Sequence, residues 1–425
     1  MEETTRESAL SRRDFILKGS TAAAVAVAGL SVLGAPAIVR GQNLNSNLNV
    51  GVIGTGSRGC YLTRILTAQS GVTISDVCDV YPPNLEAGKT DSKNEKVRAW
   101  EDWRKILEQK DVDAVVVAPP LFLHVPCSVA SLDAGKHVYS EKSMGMNVKE
   151  LNAMGAAVKA HTDKVYMVGF QSRMMESFND AKKLVQSGSF GKILQFYVHY
   201  DNNRSWRAEG AIDPKWERVL NWRLYREYCG GILTELLTHE IDMVLDVLGT
   251  MPVSGACTGK IMVYNDGREH FDSLMGHWEM EDGVIGVASG GLANARWGSS
   301  WAIHGTHGTL EFTGSAYRIF WEKETRHLQQ IGIKHKFTQV KLGQSLNVSD
   351  APMTEPDKVA DYRGSNTEDS SIKAVQNFLD CVRKGGKPVM DYESCRRPSI
   401  AALMLYESSF NGGRKVTREE IEAQG

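Results

Sequence analysis

The chain has 425 residues, 42% of them hydrophobic and 24% charged, with a formal net charge of -2. That length and composition allow two domains with full cores, and a near-neutral charge without Lys/Arg clusters argues against a nucleic-acid partner. The seven cysteines, at 60, 78, 127, 229, 257, 381 and 395, have no C-x-x-C spacing, which predicts buried thiols, no disulfide framework and no metal site.

At the amino terminus, Ser11-Arg12-Arg13-Asp14-Phe15-Ile16-Leu17-Lys18 precedes an Ala-, Val- and Gly-rich stretch over 19–33. Together with the small residues Ala35-Pro36-Ala37, it resembles a twin-arginine export signal over 1–37. An uncleaved membrane anchor is the alternative, because the apolar stretch approaches the roughly 20 residues of a spanning helix. Its Ala and Gly content favours export and a periplasmic or extracytoplasmic mature protein without a membrane segment. A polar linker follows over 38–47.

Val50-Gly51-Val52-Ile53 reads as a strand that breaks into Gly54-Thr55-Gly56-Ser57-Arg58-Gly59, a G-x-G-x-x-G turn before a helix over 61–68. Such a turn brings backbone N–H groups to a pyrophosphate and points a helix N-terminus at it. The next apolar run, 72–80, carries Asp79 about 20 residues past the last glycine, where a carboxylate accepts hydrogen bonds from the adenosine ribose. Gly54, Gly56, Ser57, Arg58, Gly59 and Asp79 are thus candidate dinucleotide contacts. Asp79 would repel a 2′-phosphate and Tyr81-Pro82-Pro83 offers no arginine, which favours NAD, while Arg58 leaves a case for NADP. Strands over 114–118, 137–140 and 165–168 alternate with helices over 103–108, 126–134 and 148–160, predicting a doubly wound parallel Rossmann sheet over 48–170.

Beyond a helix over 178–186 the pattern changes to period-two runs over 193–200, 253–263, 273–280, 284–289 and 301–303, with hairpin turns at Asp266-Gly267 and Asp282-Gly283. This predicts an α+β domain over 171–415 with a large, mostly antiparallel open sheet. Residues 322–369 read as loops, 371–382 and 398–410 as closing helices, and 416–425 as a tail.

Four segments remain. Val115-Val116-Val117-Ala118-Pro119-Pro120 runs on to His124; Glu141-Lys142 ends the strand over 137–140; Gly191-Lys192-Ile193 opens the second sheet; and Gly230-Gly231 leads a helix carrying Glu235, His239 and Asp242. On an α-helix these last three share a face, so a carboxylate and an imidazole with an ordinary pKa of about 6.5 stand together to take a hydroxyl proton. The ordered set resembles the glucose-fructose oxidoreductase / inositol dehydrogenase / MocA family over about 48–415. The resemblance implies hydride transfer between NAD or NADP and a sugar or cyclitol hydroxyl, with a homo-oligomer formed through the open sheet. It also implies that Lys142 is the catalytic lysine, working with Glu235 and His239, and that Pro119, His124 and Glu141 lie near the cofactor. His124 has a second reading, a capping histidine ahead of Pro126. The family more often has Asp at 235 and Pro at 143; Ser143 would relax the loop that holds Lys142.

Trp206, Arg207 and Arg223 belong to segments that interleave aromatic, arginine and amide side chains, suited either to a carbohydrate or to bracing a long insertion. Asp242 joins them as a candidate substrate contact. A small-molecule carbohydrate is thus the expected substrate. Two alternatives to a simple dehydrogenase stay open: an NAD-dependent glycosidase working by transient oxidation and elimination, and a non-catalytic sugar-binding protein. An exported dinucleotide enzyme has no soluble NAD pool outside the cell, so its cofactor is expected to stay bound.

Overall fold

The computed structural model describes residues 47–322, 345–348, 351–354 and 369–425. The segment read as an export signal lies outside the described residues. The first half contains strands β1 (Leu48–Ile53), β2 (Val72–Cys78), β3 (Arg98–Trp100), β4 (Ala114–Val117), β5 (His137–Ser140) and β6 (Tyr166–Val168). Helices α1 (Ser57–Thr67), α2 (Pro82–Ser92), α3 (Arg104–Leu107), α4 (His124–Asp133) and α5 (Val148–Ala160) connect them. All six strands run parallel in the order β3-β2-β1-β4-β5-β6. Val50, Val52, Val115 and Val117 are wholly buried, because helices cover both faces of the sheet; this is why the strands read as unbroken apolar runs. The strand order reverses between β1 and β4, and a doubly wound sheet binds its ligand at the carboxyl ends of the strands there.

The second half opens with α6 (Glu176–Gln186), β7 (Ile193–Asp201), α7 (Glu217–Leu220) and α8 (Thr238–Leu248). It continues through β8 (Pro252–Lys260), β9 (Ser273–Met280), β10 (Ile285–Gly291), β11 (Ser299–Gly305), β12 (Gly308–Thr313) and β13 (Ala316–Trp321). A hairpin of β14 (Ser345–Val348) and β15 (Ala351–Thr354) precedes α9 (Ser370–Lys384), α10 (Tyr392–Phe410), β16 (Val416–Thr417) and α11 (Arg418–Glu422). The large sheet has the order β13-β12-β11-β7-β10-β9-β8-β16, and only its β7–β10 pair is parallel. Along β9, Leu274, Trp278 and Met280 are buried while Met275 and Glu279 face out, the period of two expected of a sheet covered on one side. Trp278 Nε1 donates to Ala401 O of α10 at 3.1 Å.

Helix α10 is a wall shared by both cores. Cys395, Ile400 and Met404 pack with the Rossmann core, and Ala401, Ala402 and Leu405 pack with the second. Helix α9 adds Phe378 and Leu379 to the Rossmann core, so the end of the chain returns to the first domain.

Three local readings change. Residues 416–425 are no bare tail: β16 pairs with β8, and Thr417 closes a capping box with Glu420 at the start of α11. Within 322–369 the chain forms the β14–β15 hairpin, and the rest of that stretch lies outside the described residues. Asp266-Gly267 is no tight hairpin turn. The 261–272 connection instead folds onto Asp272, whose carboxylate accepts the N–H groups of Met262, Val263 and Tyr264 at 2.7–2.9 Å. All seven cysteines are free and buried, and among the described residues no helix is long and apolar enough to cross a membrane.

Candidate active site

The turn after β1 has room only for glycine at two of its positions. Gly54 adopts φ +83°, and a Cβ there would lie 2.5 Å from Pro119 N; at Gly59 it would lie 1.8 Å from Gly54 O. Gly56 starts α1 with no side-chain cap, leaving the first-turn N–H groups to an anion. Asp79 follows β2 directly. Its Oδ2 accepts from Thr55 N at 2.9 Å and Asn84 Nδ2 at 3.4 Å and its Oδ1 from Tyr81 N at 2.9 Å, so Oδ1 keeps an acceptor position for a ribose hydroxyl. Burial raises the Asp79 pKa, against the pull of these N–H groups.

Gly54, Gly56 and Asp79 line a cleft of about 970 Å³, including its open mouth, together with Ser57, Arg58, Asn84 and Pro119. Its opposite wall is Lys215, Arg218, Trp222, Arg223 and Tyr228 from the second domain. A glycine cradle, an uncapped helix and an acceptor carboxylate fit a dinucleotide.

Beside this cleft, and joined to it through Arg223, three stretches of chain meet. Lys142, past the end of β5, donates from Nζ to Glu235 O at 2.8 Å. Glu235 lies in a π-helical turn, Leu233–Leu237, that leads into α8; one extra residue per turn there breaks the α-helical spacing. Its carboxylate is buried, with Oε2 accepting from Arg223 Nε at 3.2 Å and Oε1 left without a partner. His239 on α8 sits edge-on to Phe170, with Nδ1 buried and unpartnered. Burial, and then the positive charges of Lys142 and Arg58, hold its pKa well below the ordinary histidine value, so the imidazole is neutral at neutral pH. A neutral base, a carboxylate oxygen without a donor and an ammonium group can together accept a hydroxyl proton and stabilise the resulting oxyanion.

The loosening expected from Ser143 does not occur. The Ser143 hydroxyl donates to Thr234 O at 2.8 Å and lies 3.0 Å from Thr238 Oγ1, tying the Lys142 loop to the helix that carries Glu235 and His239. His124 is buried outside the cleft lining. Its Nδ1 meets Ser143 O at 2.8 Å and its Nε2 meets Pro119 O at 2.9 Å, so it braces two site loops.

Glu141 is likewise engaged: it accepts from Arg58 Nε at 2.8 Å, while Arg58 Nη1 donates to Ser371 Oγ at 3.1 Å. Arg58 is thus tied through Nε and Nη1 to the β5 end of the site, while its Nη2 has no partner among the described residues and the residue still lines the cleft.

Asp242 is no substrate contact. It is wholly buried in a two-pronged pair with Arg173, at 2.9 and 2.5 Å, and burial still pushes its carboxyl up to about 6. Arg207 is a brace, donating to Glu217 Oε1 at 2.8 Å and Asp266 O at 2.5 Å, and Trp206 packs against the second core. Arg223 alone of this group reaches Glu235.

The sequence did not point to Asn84, Phe122 or, Arg223 apart, the 215–228 wall as cleft residues; the aromatic and arginine mixture that marks the wall, read there as suited to a sugar, was its only signal. Nor did it point to Glu240, wholly buried on α8, which accepts from Ser299 Oγ at 2.5 Å and whose pKa burial raises to about 8.

Known proteins are similar to this chain in sequence and in fold. A levoglucosan dehydrogenase of Pseudarthrobacter phenanthrenivorans is 28% identical over 310 residues, covering 67% of this chain and 76% of its own. A 2,7-anhydro-N-acetylneuraminate hydratase of Escherichia coli is 27% identical over 394 residues, covering 88% and 98%. The solved structure of a levoglucosan dehydrogenase in complex with NADH has the same fold, with a TM-score of 0.68 at 20% identity over 88% of this chain and 99% of that one. Residues 48–170 match the oxidoreductase family with an NAD-binding Rossmann fold and 178–311 match the GFO/IDH/MocA C-terminal domain, so the chain belongs to the GFO/IDH/MocA family of NAD-binding oxidoreductases.

Proposed function

We propose that the protein transfers a hydride to or from a hydroxyl-bearing carbon of a sugar, glycoside or cyclitol, using NAD that stays bound between turnovers. The observation that carries this reading is the Lys142 Nζ to Glu235 O bond of 2.8 Å. It joins the Rossmann strand ends to the helix bearing His239, beside a cleft fitted for a dinucleotide. NAD, when bound, supplies the hydride acceptor.

The chain's own residues handle the proton. Neutral His239 takes the substrate hydroxyl proton, and Lys142 stabilises the negative charge that develops on that oxygen. Glu235 Oε1 and Arg223 offer an acceptor and donors that orient neighbouring hydroxyls.

The hydratase relative supports a second reading, in which the same residues oxidise the sugar transiently, break a bond and return the hydride with no net redox change. Arg12-Arg13 and the Ala-rich stretch after them support export of the folded, NAD-loaded protein by the twin-arginine route. The outward-facing Met275 and Ile285 of the large sheet, 64% and 45% exposed, support a homo-oligomer contact.

The test is to incubate the purified protein with a panel of glycosides, anhydrosugars and inositols while following NADH and product together. Accumulating NADH with a keto product supports dehydrogenation. Cleaved or hydrated product without NADH supports the redox-neutral reading. No turnover of any compound, with NAD bound, would refute both.

A further inference from the structure

We infer that residues 214–228 form the second wall of the dinucleotide site and act as a strap that retains the nucleotide, an inference that rests on the NAD reading of the cleft. The strap crosses the cleft and is fastened at both ends. At the adenosine end, the Trp216 ring stands edge-on to Tyr81 at 5.3 Å, and Tyr81 is the residue whose N–H holds Asp79. At the catalytic end, Phe122 N donates to Tyr228 O at 3.1 Å and the two rings lie 5.0 Å apart.

Between these anchors the strap is stiffened from within. The Glu217 carboxylate accepts from Arg207 at 2.8 Å, the Tyr225 hydroxyl at 2.9 Å and Asn221 at 3.0 Å. Asn221 is wholly buried and its Oδ1 also accepts from Ala208 N at 2.7 Å, so the segment is built structure and not a loose loop.

The strap's chemistry matches the ligand. Lys215 and Arg218 face the same cleft as the glycine turn, supplying two positive charges for the two negative charges of a pyrophosphate. Their present partners, Asp213 and Glu227 at 3.0 Å each, form solvent-accessible ion pairs that cost little to exchange for phosphate. A Rossmann domain alone leaves one side of its nucleotide open. Here release requires the Trp216 anchor to lift, which makes the strap the element that sets how long the nucleotide stays.

The experiment loads the full chain with NADH, dilutes it into excess NAD and follows the decay of bound-NADH fluorescence in wild type, Trp216→Ala and Trp216→Phe. Loss of the ring contact is expected to speed release about three- to tenfold in Trp216→Ala, and Trp216→Phe to stay within about twofold of wild type. Thermal unfolding of each variant confirms that the fold is kept. Trp216→Ala releasing NADH at the wild-type rate while folded would overturn the strap inference alone. Failure of every form, wild type included, to bind NADH would overturn the NAD reading beneath it.

Discussion

Asp242→Ala separates a structural strut from a substrate ligand. Arg173 grips this carboxylate through Nε and Nη2, and both side chains are buried, at 3% and 0% exposure. Removing the carboxylate leaves a guanidinium charged away from water, and breaking such a pair from one side costs about 3–5 kcal/mol. Asp246, 3.3 Å from Arg173 Nη1 and 18% exposed, takes up part of the stranded charge, so the expected loss lies near the lower end, about 3 kcal/mol. Arg173→Met costs less, because burial already pushes the Asp242 carboxyl up to about 6 and the freed acid can protonate. The double variant Arg173→Met/Asp242→Leu removes both charges and recovers most of the loss. Urea unfolding of the four proteins gives the energies, and KM measured on the same samples gives the functional effect. Asp242→Ala unfolding within about 0.5 kcal/mol of wild type while raising KM would refute the assignment.

Ser143→Ala removes the hydroxyl that ties the Lys142 loop to Thr234, at a cost of about 1 kcal/mol. It should lower kcat severalfold with NADH affinity unchanged; an unchanged kcat would show that the tie does not position Lys142. Because the folded-state pKa of His239 is depressed, this base stays unprotonated as pH falls below 6.5. The acid limb of the kcat/KM profile should therefore lie below pH 6.5, and a limb above it would contradict His239 as the base. Glu240 has the opposite sign: its folded pKa is raised from 4.5 to about 8, so its contribution to stability is full below 4.5 and is lost as pH rises through 8. Glu240→Gln should remove this decline, gaining at most about 5 kcal/mol over wild type at pH 9, read from unfolding at pH 6 and pH 9. A variant that weakens with pH as steeply as wild type would contradict the assignment.

Features that depend on local chemistry were legible in the sequence. Gly54 and Gly59 announce themselves by the G-x-G-x-x-G spacing and β1 and β4 by their β-branched runs, although what fills the space at Gly54 is Pro119, from the end of another strand. The face shared by Glu235, His239 and Asp242 was only partly legible. Ideal α spacing fails across the π-helical turn, and Asp242 is drawn to an arginine 69 residues earlier that no local pattern marks. His124, Glu141 and Ser143 stood out in the sequence as neighbours of the site, and in the structure each binds one segment of chain to another. Such roles depend on partners from other strands and helices. The same holds for the 214–228 strap, whose aromatic and arginine content suits a sugar as well as a nucleotide until the topology lays it across the cleft.

The central claim is that Lys142 and His239 act on a substrate held against NAD bound in the cleft. The most direct test is the absorbance of reduced nicotinamide formed in a single turnover of NAD-loaded protein with levoglucosan, myo-inositol and a glycoside panel, comparing wild type with Lys142→Met and His239→Ala. The account predicts reduction in wild type with at least one compound, slowed about 100-fold or more in both variants while nucleotide occupancy, measured by mass spectrometry, is unchanged. Variants that reduce the nucleotide at the wild-type rate would contradict it.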